Sequence, residues 1–128
     1  MKEEQWRGVY PALTTQFGDD YGLDFDAMAR HLEFQLDAGV DGIIILGSLA
    51  ENPALDGDEK LRLTEFFVDA VGGRVPVVAC IAESATHRAR AFAQGARDAG
   101  VDGFMLLPPM RYPSDRRETR AYLEAVAD

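Results

Sequence analysis

Cysteine occurs once in these 128 residues, at Cys80, so no disulfide can close within the chain. Set in an apolar β-type run, Cys80 is expected to be a small buried hydrophobe. Histidine occurs twice, at His31 and His87, both in helical stretches and with no ligand spacing between them. Surface or packing roles are expected for both, and no metal. Lysine also occurs twice, at Lys2 and Lys60, and no run of Lys or Arg exists; the net charge is -9. Nucleic acid and anionic membranes select basic surfaces, so neither is an expected partner. No apolar stretch approaches membrane-spanning length, and the opening Met1-Lys2-Glu3-Glu4-Gln5-Trp6-Arg7 lacks the apolar core of a signal sequence. The cytoplasm is the expected location.

What is present is an ordinary globular composition, 47% apolar and 27% charged, enough for one domain over residues 1–128. Four short apolar runs recur, each followed by an amphipathic stretch. Val9–Thr15 is expected as the first strand, with Asp24 as N-cap of a helix that keeps Phe25, Met28, Ala29, Leu32 and Leu36 on one face until Gly39. Gly42–Leu46 is apolar on both faces, as a parallel strand covered on each side should be. Asp56 or Asp58 opens the next helix, which ends at Gly72-Gly73. Val75–Ile81 is the third strand, and its helix runs from Ala85 to Gly100. Gly103–Leu107 is the fourth, before Pro108-Pro109 and a last helix opening at Ser114 or Asp115. The segment Asp37–Leu46 returns 61 residues later as Asp98–Leu107, identical at seven of ten positions. Internal duplication and convergence on one kind of helix-to-strand turn both account for it.

Alternating strands and helices leave an open doubly wound sheet or a closed (βα)8 barrel. The first strand is followed by Thr14-Thr15-Gln16-Phe17, without the glycine-rich phosphate turn of a nucleotide-binding sheet. The expected fold is therefore α/β, the N-terminal half of a TIM barrel with four βα units, since a whole barrel takes roughly 250 residues. Barrel sites lie at the C-terminal ends of strands. Four segments qualify: Thr14-Thr15, Gly47–Asn52, Glu83-Ser84 and Pro108–Tyr112. Their hydroxyls, loop glycine, arginine and tyrosine suit a carboxylate ligand, and no cofactor is expected.

Three segments carry a family resemblance. Gly47-Ser48-Leu49-Ala50-Glu51-Asn52 with the preceding Gly-Ile-Ile-Ile-Leu resembles the Gly-Thr-Thr-Gly-Glu segment of the dihydrodipicolinate synthase/N-acetylneuraminate lyase family. Gly8–Thr15 and Leu107-Pro108-Pro109-x-x-Tyr112 are similar to the same family in the same order. The stretch Arg111–Thr119 looks nearest its 2-keto-3-deoxy sugar acid dehydratase branch. The resemblance implies a barrel enzyme, dimeric or tetrameric, that condenses, cleaves or dehydrates 2-oxo acids through a Schiff base to lysine. It puts Ser48 at the threonine that holds the substrate carboxylate and relays a proton, with the Leu49 N–H as a second carboxylate donor. Ala50 stands where the family has glycine and would strain the turn if its φ were positive. Glu51 matches a glutamate expected to anchor the loop. The relay tyrosine falls at Arg111 or Tyr112; Tyr112 has the chemistry, and Arg111 could pair with a carboxylate. Thr15 is a further substrate-binding candidate. Glu83 could read sugar hydroxyls or cap the third helix.

The family's lysine belongs to the sixth strand, beyond the four units here. Lys2 lies in the tail and Lys60 in the second helix, neither at a strand end. The chain is thus expected to be a truncated lyase, inactive alone; a self-associating half-barrel that binds carboxylates, and a non-catalytic interaction module, are the alternatives. The first and fourth strands would present open edges and the strands' inward faces would be wet, so a homo-oligomer is expected.

Overall fold

The computed structural model describes residues 6–128; Lys2 lies outside them. Three parallel strands, β1 (Ile43–Ile45), β2 (Val77–Ile81) and β3 (Gly103–Leu106), pair in chain order. Four helices, α1 (Phe25–Asp37), α2 (Gly57–Val71), α3 (Thr86–Ala99) and α4 (Arg116–Ala127), alternate with them. A doubly wound sheet reverses its strand order at a switch point, and the described strands show no reversal.

The expected first strand is reduced to one parallel bridge, Ala12 to Ile44. The Leu13 N–H donates to Ile44 O at 2.9 Å and the Ile44 N–H to Pro11 O at 2.9 Å. Continuing that ladder would need an N–H at residue 11, and proline has none. At the other end Leu46 takes φ 60, which turns β1 away from its neighbour.

Helix ends follow from local chemistry. Asp24, Asp56 and Asp115 are the N-caps of α1, α2 and α4, and the last two close capping boxes with Glu59 and Glu118. Helix α3 has Ala85 at its N-cap position and so no side-chain cap. Between β1 and α2 the chain forms two single 3-10 turns, Ser48–Ala50 and Asn52–Ala54, which the sequence pattern did not signal.

The repeat does the same work in both copies. Gly39 and Gly100 take φ 78 and 97, the left-handed conformation that ends a helix cheaply only with glycine. Two residues on, the Asp41 N–H donates to Val9 O and its Oδ2 accepts from the Val9 N–H at 2.7 Å. Asp102 repeats this on Val77, at 2.8 and 2.9 Å. Each aspartate therefore pins the strand it begins to the strand before it.

The core lies between the sheet and the helices: Met28, Leu32, Ile43, Ile45, Leu63, Phe67, Val77, Ala79, Ile81, Phe92 and Ala96 are buried together. Wet inward faces were expected on every strand. In β2, however, Val78 and Cys80 are as buried as Val77 and Ala79, at 3% and 0% exposure, because strands flank it on both sides. Edge strand β3 does keep Met105 exposed.

Candidate functional site

The loop after β1 begins at Gly47 and enters its first turn at Ser48, whose side chain is exposed. Hydrogen bonds from the Ala50 N–H to Gly47 O and from the Glu51 N–H to Ser48 O close the turn, and leave the N–H groups of Ser48 and Leu49 unused by it. Two buried side chains hold the loop. Thr15 donates its hydroxyl to Ala50 O at 2.8 Å, and Asn52 donates Nδ2 to Leu46 O at 2.7 Å. The structure thus gives Thr15 a different duty from the substrate contact expected of it: its proton is committed to shaping the loop. Ala50 lies within the 3-10 turn, and the strain of positive φ falls instead on Leu46 and on Glu51, at φ 57. Glu51 is exposed, and it anchors the loop through its backbone, accepting from the Ala54 N–H at 2.8 Å.

Glu83 follows the end of β2. It does not cap α3; that position is Ala85. Its Oε1 accepts from Lys60 Nζ at 2.5 Å, and the two side chains are only 14% and 7% exposed. This corrects the expectation that Lys60 stays away from strand ends. The residue begins in the first turn of α2, and a four-carbon stem carries the ammonium from there to the end of β2. The contact was not legible in the sequence, since the partners are 23 residues apart and meet only when α2 packs beside β2.

A hollow of about 470 Å³ opens above these strand ends, lined among others by Ser48, Lys60, Glu83, Arg88 and Arg111. Arg111 is exposed and also lines a neighbouring hollow with Ser84, Tyr112 and Tyr122. Tyr112 is 75% exposed and Leu49 66%. Ser48, Glu83 and Arg111 are therefore brought together from three βα loops, with Leu49 beside Ser48, while Tyr112 sits on the adjoining wall.

Two more ionisable groups lie under the site. Burial pushes the Cys80 thiol up, with the Lys60 charge pulling against it. Burial also raises the Tyr122 phenol, and Glu83 and then Cys80 add smaller upward pushes. Both groups are neutral near pH 7. His31 is half-buried in α1 and His87 exposed in α3. Among the described residues no group of three or more His, Cys, Asp or Glu could hold a metal. No helix among them is long and apolar enough to cross a membrane.

Consecutive parallel strands with polar side chains gathered on the loops at their C-terminal ends fit a (βα)8-barrel type of protein, of which three strands and four helices are present among the described residues. Residues 5–128 match the Dihydrodipicolinate synthetase family, and the chain belongs to that family. It is 35% identical over 122 residues to a 4-hydroxy-tetrahydrodipicolinate synthase of Salinibacter ruber, covering 95% of this chain and 40% of that protein. It is 40% identical over 120 residues to an uncharacterized DapA-like lyase of Halobacterium salinarum, covering 94% and 40%. The crystal structure of YagE, a prophage protein of the dihydrodipicolinic acid synthase family from E. coli K12 in complex with pyruvate, superposes with a TM-score of 0.93 at 31% identity, over 96% of this chain and 41% of that one. The chain spans about 40% of the length of these relatives. Its fold is the N-terminal half of a TIM barrel.

Proposed function

We propose that these residues form the carboxylate-reading half of a lyase or dehydratase site for 2-oxo acids. The Ser48 hydroxyl and the Leu49 N–H hold the substrate carboxylate, Arg111 supplies its countercharge, and Ser48 and Tyr112 pass the proton. The reaction of the whole site would be aldol cleavage or condensation, or dehydration of a 2-keto-3-deoxy sugar acid, through a Schiff base in the cytoplasm. The observation that carries this reading is the hollow itself, which Ser48 and Arg111 both line at the strand ends over a loop held by Thr15 and Asn52. The pyruvate bound to YagE, a relative in fold and sequence, supports the substrate class.

Among the described residues the imine step has no free amine to use in the hollow. Lys60 is the lysine that lines it, and its ammonium is held by Glu83. Borohydride treatment of this polypeptide with pyruvate is therefore expected to leave its mass unchanged, and an adduct at Lys60 would overturn that part of the proposal. Removing a hydrogen bond to a charged ligand costs about 1.5–3 kcal/mol, or roughly tenfold or more in affinity. Ser48→Ala should weaken pyruvate binding by that factor in a calorimetric titration, and Cys80→Ala should not. Equal losses would put the carboxylate elsewhere.

A further inference from the structure

We propose that Asn52 is the positioning residue of the loop after β1: it clamps a strained Leu46, and so keeps the Ser48 and Leu49 N–H groups fixed and unspent for a ligand. The inference rests on the carboxylate reading above and says what holds that half-site in shape before anything binds.

Two left-handed residues bracket the loop, Leu46 at φ 60 and Glu51 at φ 57. That conformation is uphill for a residue with a Cβ, and for a bulky leucine most of all. Glycine would relieve it, yet the loop's glycine stands one place on. At Gly47 φ is -75 and a Cβ would meet nothing within 4 Å, so the site of the strain and the site of the glycine do not coincide. Strain of this kind persists only where the surroundings over-determine it. At Leu46 two contacts do so. The side chain is 2% exposed and packs in the core. The carbonyl, one residue past the last β1–β2 pair of Ile45 with Ala79, accepts from Asn52 Nδ2 at 2.7 Å.

Asn52 directly follows Glu51, so its side chain reaches back across the loop and ties the second left-handed residue to the first. It is 1% exposed, and its Oδ1 has no partner among the described residues. Burying an amide with its acceptor unused is costly, and an apolar side chain would fill the space without that cost. What the amide adds is the donor that holds Leu46. Between the tied ends Thr15 holds Ala50 O, and no backbone bond of the turn uses the N–H of Ser48 or Leu49. A donor set fixed in advance spares the ligand the cost of ordering it.

The test is a calorimetric titration of the full chain with pyruvate, run as a double-mutant cycle. If the unclamped loop keeps the competent shape in about one molecule in ten, Asn52→Ala lowers affinity about tenfold. In a Leu46→Gly background, where φ 60 carries no strain, the same change should cost far less. The packing lost with the Leu46 side chain is common to both members of that pair and cancels. Hydrogen exchange on Asn52→Ala gives a second reading that needs neither ligand nor Leu46→Gly: residues 46–51 should exchange faster while β2 and α2 keep their protection. If Asn52→Ala leaves either the affinity or this exchange at the wild-type value, the clamp is wrong and the carboxylate site stands. An equal loss of affinity in both backgrounds also overturns it, since Asn52 would then act other than through Leu46. If the unsubstituted chain does not bind pyruvate, the carboxylate reading falls, and the exchange comparison alone decides whether Asn52 clamps the loop.

Discussion

Tyr122 is one of two side chains, with Asn52, that bury a polar atom without a partner among the described residues. It is 5% exposed, packs in the core from α4, and its Oη has no hydrogen-bond partner among the described residues. A buried polar group left unpaired costs about 1–3 kcal/mol. Tyr122→Phe removes the hydroxyl and keeps the ring, so it should stabilise the protein by about 1 kcal/mol. Urea unfolding would read this as a higher midpoint at unchanged slope; a lower midpoint would mean that the hydroxyl is bonded in solution. Residue by residue, what the sequence displayed was chemical type in a loop position: Ser48, Glu83 and Arg111 stand at strand ends, as read. What it concealed was pairing. Lys60 reads as one more helix-surface lysine, because its place in the first turn of α2 says nothing of how far its stem reaches. Thr15 reads as a free hydroxyl, because its acceptor, Ala50 O, lies 35 residues away.

At the scale of elements, the helices were legible because period and caps agree. Asp24, Asp56 and Asp115 each accept from a backbone N–H three residues on, at 2.8, 2.8 and 2.7 Å. The 3-10 turns after β1 were not, since three residues carry no periodicity, and the first strand was overread because an apolar run at Val9–Thr15 does not register the missing N–H of Pro11. The repeat is where sequence and structure agree most closely. Asp41 and Asp102 make the same two-way contact with the preceding strand, which is reason enough for the motif to recur. This predicts an ordering. The Asp102 bond to the Val77 N–H is partly buried, so Asp102→Ala should cost about 1–2 kcal/mol. Asp102→Asn keeps an acceptor oxygen and should recover most of that. Asp41→Ala should cost less, because its bond to Val9 is exposed. Thermal or urea unfolding of the three variants checks the order, and an Asp102→Ala midpoint equal to wild type would show that register is set elsewhere.

For the molecule as a whole, the sheet has two edges and the question is what meets them. In a closed eight-stranded barrel the first strand pairs with the eighth and the fourth with the fifth. Among the described residues β3 is paired with one strand, β2, and Ala12 makes a single bridge, to Ile44 in β1. Val9, on the outer segment, is 65% exposed, and Met105, on β3, is 36% exposed. Unpaired strand edges recruit other strands unless charge or proline blocks them. No charged residue lies in Gly103–Leu106, and Pro11 blunts only the opposite edge. Two copies could satisfy both edges if each β3 lay beside the other's Ala12 segment, an arrangement in which the same pair of contacts closes on itself. A polypeptide of these 128 residues should therefore form dimers or larger soluble species at micromolar concentration. Any monomer present should bind a hydrophobic dye. Met105→Lys would place a charge on the β3 edge and should shift the population towards monomer, since an edge lysine must be desolvated for a strand to dock there. Sedimentation velocity on both forms decides the matter: a single compact monomer in the unsubstituted chain, without dye binding, would mean that the edges are protected by a packing that these contacts do not contain.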